Sequence, residues 1–88
     1  MAFRVTGKVN RLYVDVNGCY IRLDGLPPED TPKDGYFQLK KSHQNYDALY
    51  SLALTAAANR LDLTVRIVGD DIKPTGAYPD VNYMIIDW

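Results

Sequence analysis

Val5, Gly7 and Val9, with Phe3 before them, alternate with Arg4, Thr6 and Lys8. A period of two is the mark of a strand with one buried face. After Val9 the phase slips: Leu12, Val14 and Val16 now carry the apolar side, with Arg11, Tyr13 and Asp15 between them. A one-residue slip along a continuous strand predicts a β-bulge, and Gly7 can supply a nearby bend. Asn17-Gly18 then separates two alternating runs. It predicts a hairpin turn with both central residues at positive φ. The second strand presents Cys19, Ile21 and Leu23 on one side, and Tyr20, Arg22 and Asp24 on the other.

The segment Gly25 to Gly35 is rich in Pro, Gly and Asp and reads as a loop, stiffened by Pro27, Pro28 and Pro32. Tyr36 to Lys41 forms a third strand, with Phe37 and Leu39 inward and Tyr36, Gln38 and Lys40 outward. Ser42 to Asn45 is a break in which Asn45 can cap a following helix, and Asp47 suits the positive end of its dipole. The helix spans Tyr46 to Arg60. Asp47, Ser51, Thr55 and Asn59 form one narrow polar stripe, and nearly everything else is apolar. A helix on the surface of a monomer normally carries a wider polar face. The expectation is therefore a second subunit covering it, with Leu49, Leu52, Ala53, Ala56 and the terminal Trp88 at the contact. Leu63, Val65 and Ile67 mark a fourth strand. Gly69-Asp70-Asp71 is a turn, and the stretch from Lys73 to Pro79 is a loop. Val81 to Trp88 is a fifth strand.

The order β-β-β-α-β-β predicts one mainly β domain over residues 1–88, an OB-fold five-stranded barrel with a single helix. A parallel doubly wound fold is excluded, because only one crossover helix exists. Net charge is −1, so the positive excess of duplex nucleic-acid binders is missing. Cys19 is the only cysteine, which rules out an intrachain disulfide. The opening MAFRVTGKV shows no signal-peptide pattern. A cytoplasmic chain is the default expectation, or a secreted one if this is a mature form. The most apolar stretch, around Leu49 to Ala58, is too short and too polar to span a bilayer.

Val16-Asn17-Gly18-Cys19-Tyr20-Ile21 leads a hairpin into a Cys-bearing strand. A strand opening on Tyr36-Phe37, an alanine- and leucine-bearing helix, and Val65-Arg66-Ile67 follow. In this spacing the chain resembles the B subunits of AB5 bacterial toxins, particularly the subtilase cytotoxin type. The resemblance implies an OB-fold pentamer whose helices line a central pore, host glycans, often sialylated, as ligands, and an associated A-type subunit. The family's glycan-pocket residues do not map onto this chain position by position, and its paired cysteine is missing.

Seven tyrosines stand out in so short a chain. Tyr13, Tyr20, Tyr36, Tyr78 and Trp88 fall on the outward phase or in loops, where rings stack on sugars or bases. The same rings could instead serve cross-strand pairs or a subunit interface. With Arg22, Gln38 and Lys40, residues Tyr13, Tyr20, Tyr36 and Tyr78 make the candidate ligand surface; Arg4, Lys8, Arg11 and Lys41 lie nearby in sequence. His43 reads as a surface loop residue and Cys19 as a buried, inert thiol. The acidic pairs Glu29-Asp30 and Asp70-Asp71 sit in turns and do not read as a catalytic dyad. No nucleophile–base pair, metal cluster or phosphate loop is visible, so neither enzymatic activity nor a cofactor is expected. The sequence points to a non-catalytic, pentameric, carbohydrate-binding subunit. Binding of single-stranded nucleic acid and a purely structural or adaptor role are the alternatives.

Overall fold

The computed structural model describes residues 4–69 and 78–87. Its elements are β1 (Arg4–Asp15), β2 (Gly18–Leu23), β3 (Tyr36–Lys40), α1 (Tyr46–Asn59), β4 (Asp62–Ile67) and β5 (Val81–Asp87). The protein is mainly β: five strands in one sheet of order β3-β2-β1-β4-β5, every neighbouring pair antiparallel, with one α-helix. The two edge strands approach each other at one point. Gln38 and Asp80 form an isolated parallel bridge, and the Gln38 amide donates to the Pro79 carbonyl at 2.9 Å. The ladder goes no further, so the sheet is not closed into a barrel. The loop between β2 and β3 contains two short 3₁₀ turns, Pro28–Asp30 and Lys33–Gly35.

β1 serves both halves of the sheet. Arg4 to Lys8 pair with β4, and Val9 to Asp15 pair with β2. The change of partner falls at a bulge between Val9 and Arg11, where the apolar phase slips. A second bulge interrupts β4 and β5: Arg66 pairs with Tyr83 and Ile67 with Val81, leaving Asn82 as the extra residue. A bulge frees backbone groups from the ladder, and each of these two has a carbonyl taken by a side chain from one end of the helix. Arg60 Nη1 donates to the Val9 carbonyl at 3.0 Å, and His43 Nε2 to the Asn82 carbonyl at 2.9 Å. The helix is thus pinned at both ends to the irregular points of the sheet. Arg60 holds φ 54° at the helix C-cap, a strained conformation for a side chain with a Cβ, while its amide reaches back to Ala56 and Ala57.

The hairpin differs from expectation in one respect. Asp15 pairs with Gly18, so the turn residues are Val16 and Asn17, and neither has positive φ. The Asp15 side chain accepts from the Asn17 amide at 2.8 Å and stabilises this turn. Gly18 is needed for a different reason. It holds φ 143°, and a Cβ there would lie 2.1 Å from the Leu39 carbonyl oxygen of β3.

Phe37, Ile21, Leu39, Leu63, Ile67, Val65 and Val81 are the large fully enclosed side chains. α1 packs across β1, β3, β4 and β5. Ala53 and Ala56 are 0 % exposed, which lets the helix backbone approach the sheet closely. This corrects their reading as subunit contacts: their surface is used up inside this chain. Leu49 and Leu52 are half-buried against the same core. The broad apolar face of α1 is largely a response to the sheet it crosses, and Leu54, at 47 % exposed, is the large apolar residue it leaves outside. Trp88, the remaining expected contact, lies outside the described residues, as do Phe3, Asp70, Asp71 and most of the loop expected from Lys73.

Candidate functional site

Alternation along β1, β2 and β3 sends one set of side chains to the core and the other outward. Two outward rows cross these strands. Tyr13 faces Tyr20, which faces Gln38; Arg11 faces Arg22, which faces Tyr36. Tyr78, on the approach to β5, brings a further ring to the same face. Tyr13 stacks on Tyr20 with centroids 4.6 Å apart and meets Tyr36 edge-on at 5.3 Å. Tyr78 contacts both Tyr20 and Tyr36 at 5.8 Å. These separations lie in the range in which aromatic pairs attract. The outcome is unusual for an outward face: Tyr20 is 6 % and Tyr36 8 % exposed, covered by other rings rather than by core, while Tyr13 is 38 % exposed and forms the outer surface of the stack.

Polar groups ring the cluster and fix it. Arg11 donates to the Tyr36 hydroxyl at 3.2 Å, Gln38 to the Tyr20 hydroxyl at 3.2 Å, and the Tyr78 hydroxyl to Asp34 at 3.2 Å. The Tyr36 hydroxyl holds the Arg11 guanidinium still more firmly protonated than usual. Burial pushes the Tyr13 and Tyr78 hydroxyls above their ordinary range; their ring neighbours add to this at Tyr13, and the bond to Asp34 at Tyr78. Arg22 lies over the Tyr36 ring, 5.6 Å from its centroid, and its Nε donates to Asn10 at 2.7 Å. Asn10, the extra residue of the β1 bulge, donates in turn to Asp24. Gly35 keeps room for the Arg22 stem, since a Cβ there would meet its methylenes at 3.0 Å. Lys40 sits at the end of the same face, exposed and paired with Asp80 at 3.2 Å.

Of the expected ligand residues, Tyr13, Tyr20, Arg22, Tyr36, Gln38 and Tyr78 come together, and Lys40 borders them. Arg11, Asn10, Asp34 and Gly35 were not singled out beforehand as members of this surface. Arg11 could have been, because it shares the outward phase with Tyr13. Cys19 lies on the opposite side of β2, 0 % exposed, its thiol pushed up to about 11 by burial. It is a packing residue without the thiolate character a nucleophile needs. His43 is more than a surface loop residue: Nδ1 accepts the Asn45 amide at 2.9 Å, so the proton resides on Nε2, which donates to Asn82. An open cleft of about 420 Å³ at the start of α1 is lined by Lys41, His43, Tyr46 and Asp47 among others, and shares no residue with the tyrosine face. His43 already uses both ring nitrogens there. Among the described residues no three His, Cys, Asp or Glu side chains are grouped so as to hold a metal ion. Among them, too, no helix is long and apolar enough to cross a membrane.

No protein-family model, no curated protein and no solved structure matches this chain.

Proposed function

We propose that this protein is a non-catalytic binding module of OB type that presents the tyrosine face of β1, β2 and β3 to a carbohydrate. One observation carries the reading: four tyrosine rings in mutual contact on the outward side of a sheet, where solvation alone would favour polar residues. Tyr13 offers an exposed ring for the apolar face of a sugar. Arg11, Arg22, Gln38 and Lys40 offer donors for its oxygens. OB folds bind on the face of strands 2 and 3 and with the loops joining strands 1–2 and 4–5; Tyr78, from the β4–β5 connection, fits that arrangement. The parallel bridge between Gln38 and Asp80 is the contact that would close such a barrel.

The module works in this reading as one subunit of a ring, a pentamer, able to carry an A-type partner. Apolar surface for such contacts exists at Val14, Val16, Leu54 and Val68, which are 50, 88, 47 and 61 % exposed. Binding to a broad glycan array is expected, with a solution mass near five subunits by light scattering. A silent array removes the sugar, and a clean monomer removes the ring. A second reading, single-stranded nucleic acid, draws on the basic side chains among the same rings. It predicts a shifted labelled oligonucleotide at low salt, with affinity that falls steeply as salt rises. The absence of any shift ends it. An adaptor that uses these rings only for protein contacts predicts that Tyr13 becomes buried in the assembly.

A further inference from the structure

Arg11 and Arg22 stand directly opposite each other across β1 and β2. Like charges at directly opposed positions destabilise a ladder. The usual remedy is an intervening carboxylate, and among the described residues neither guanidinium lies within ion-pair distance of one: the ion pairs found are Lys8–Asp62 and Lys40–Asp80. The two groups are instead gathered on a single ring, Arg11 at the Tyr36 hydroxyl and Arg22 over its face. Arg22 is further fixed by Asn10 and by the space Gly35 leaves for it. Asn10 stands between Arg22 and the nearest acidic side chain in this chain of bonds, Asp24. The arrangement concentrates positive charge beside an exposed stacking ring and spends neutral partners, not anions, to hold it there.

We infer that Arg11 and Arg22 form an oxyanion subsite beside Tyr13, and that the ligand of this face is a saccharide bearing a sulfate group. The inference rests on the tyrosine face being the ligand surface. A guanidinium presents several N–H donors in a planar fork that matches such an anion, and Arg11 and Arg22 each commit only part of theirs inside the protein. The anion would also offset the repulsion between the opposed arginines. Tyr13 would take the sugar ring that carries it.

Two titrations test this on the intact chain. Inorganic sulfate, followed by the side-chain Nε–H signals in NMR, should produce saturable shifts at Arg11 and Arg22 while Arg4, Arg60 and Arg66 stay in place. Arg22→Met, or the milder Arg11→Gln should the first not fold, should weaken sulfate binding by about fivefold or more. Similar movement of all five arginines, or no saturation, overturns the subsite. A sulfated oligosaccharide and its desulfated counterpart form the second arm. The sulfated form should bind about tenfold more tightly, and Tyr13→Ala should weaken binding of the sulfated sugar by a larger factor than binding of free sulfate. Equal affinity for the two sugars overturns the inference and leaves the tyrosine face standing. Sulfate binding at the arginines with neither sugar bound overturns the face reading instead, and with it the ligand class. An oligothymidylate that binds more tightly than the sulfated sugar overturns the saccharide as the source of the anion.

Discussion

The two halves of the sheet turn very different outward faces to solvent. Across β1, β4 and β5 the outward rows are Thr6–Thr64–Ile85, Arg4–Arg66–Tyr83 and Lys8–Asp62–Asp87. Thr6 and Thr64 share a hydroxyl–hydroxyl bond of 2.7 Å, and Lys8 pairs with Asp62 at 2.7 Å with both side chains about half exposed. Exposed contacts of this kind contribute little. Across β1, β2 and β3 the same alternation again sets two arginines opposite each other, as Arg4 and Arg66 are on the other half, and adds four contacting rings. Both faces are made by period-two strands over one core, so foldability alone does not require the aromatic one. An outward face without such a ring cluster suffices for half of this sheet, and the proposed ligand would account for the other half.

The comparison is most exposed to failure at Tyr36. Its ring is enclosed and touches Tyr13, Tyr78 and Arg22, so Tyr36→Ala should cost about 3–4 kcal/mol, a fall of roughly 15 °C in Tm for a domain of this size. Thr64→Ala on the polar half should cost under about 1 kcal/mol. Equal losses in parallel melts would mean that the two faces are structurally equivalent.

Next in size is an alkaline effect beneath the aromatic face. Folding raises the Cys19 thiol from its ordinary value near 9 to about 11. The folded state therefore holds this proton more tightly than the unfolded state does. Its contribution is complete below pH 9 and is lost as pH rises toward 11, an effect on the order of 2–3 kcal/mol. Denaturation curves from pH 8 to 11 should show that slope. Cys19→Ala should flatten it while lowering stability at pH 7 through the cavity it leaves.

Arg60 belongs to neither face and serves as a control on the helix attachment. Arg60→Ala keeps the left-handed backbone and loses the bond to Val9, with an expected cost of about 1–2 kcal/mol. Arg60→Gly relieves the backbone and should recover roughly half of that in urea titrations. A glycine variant less stable than the alanine variant would mean that the cap geometry is misassigned. The smallest stability change is expected at Tyr13. Tyr13→Ala should cost about 1 kcal/mol, because the ring is the outermost of the stack, and yet it should remove most ligand binding.

The period-two patterning made the strands and their faces legible, and the slip after Val9 made the bulge legible. The outward position of Tyr13, Tyr20 and Tyr36 followed from alternation alone. The burial of Tyr20 and Tyr36 did not, since it needs the register that sets Tyr13 against Tyr20 and the distant Tyr78 that closes over Tyr20 and Tyr36. A turn on Asn17–Gly18 would have set Tyr13 opposite Arg22. The observed turn on Val16–Asn17 moves each partner by two residues, which preserves the face and changes the neighbours. Ala53 and Ala56 were misread because a helical pattern shows how much apolar surface exists but not which partner covers it. His43 and Arg60 escaped notice as clamps because their targets, Asn82 and Val9, lie far away in sequence and are backbone carbonyls, which carry no sequence signal.

The central claim is that the aromatic half of the sheet, and not the polar half, meets the ligand. Tyr13 and Tyr83 are matched probes: both are outward tyrosines, 38 and 40 % exposed, one on each half. The deciding measurement is a glycan array run with the native chain, Tyr13→Ala and Tyr83→Ala, each first shown to be folded. The account predicts that the native chain and Tyr83→Ala bind the same glycans and that Tyr13→Ala loses them. Retained binding in Tyr13→Ala with loss in Tyr83→Ala, or silence of the native chain, would contradict it.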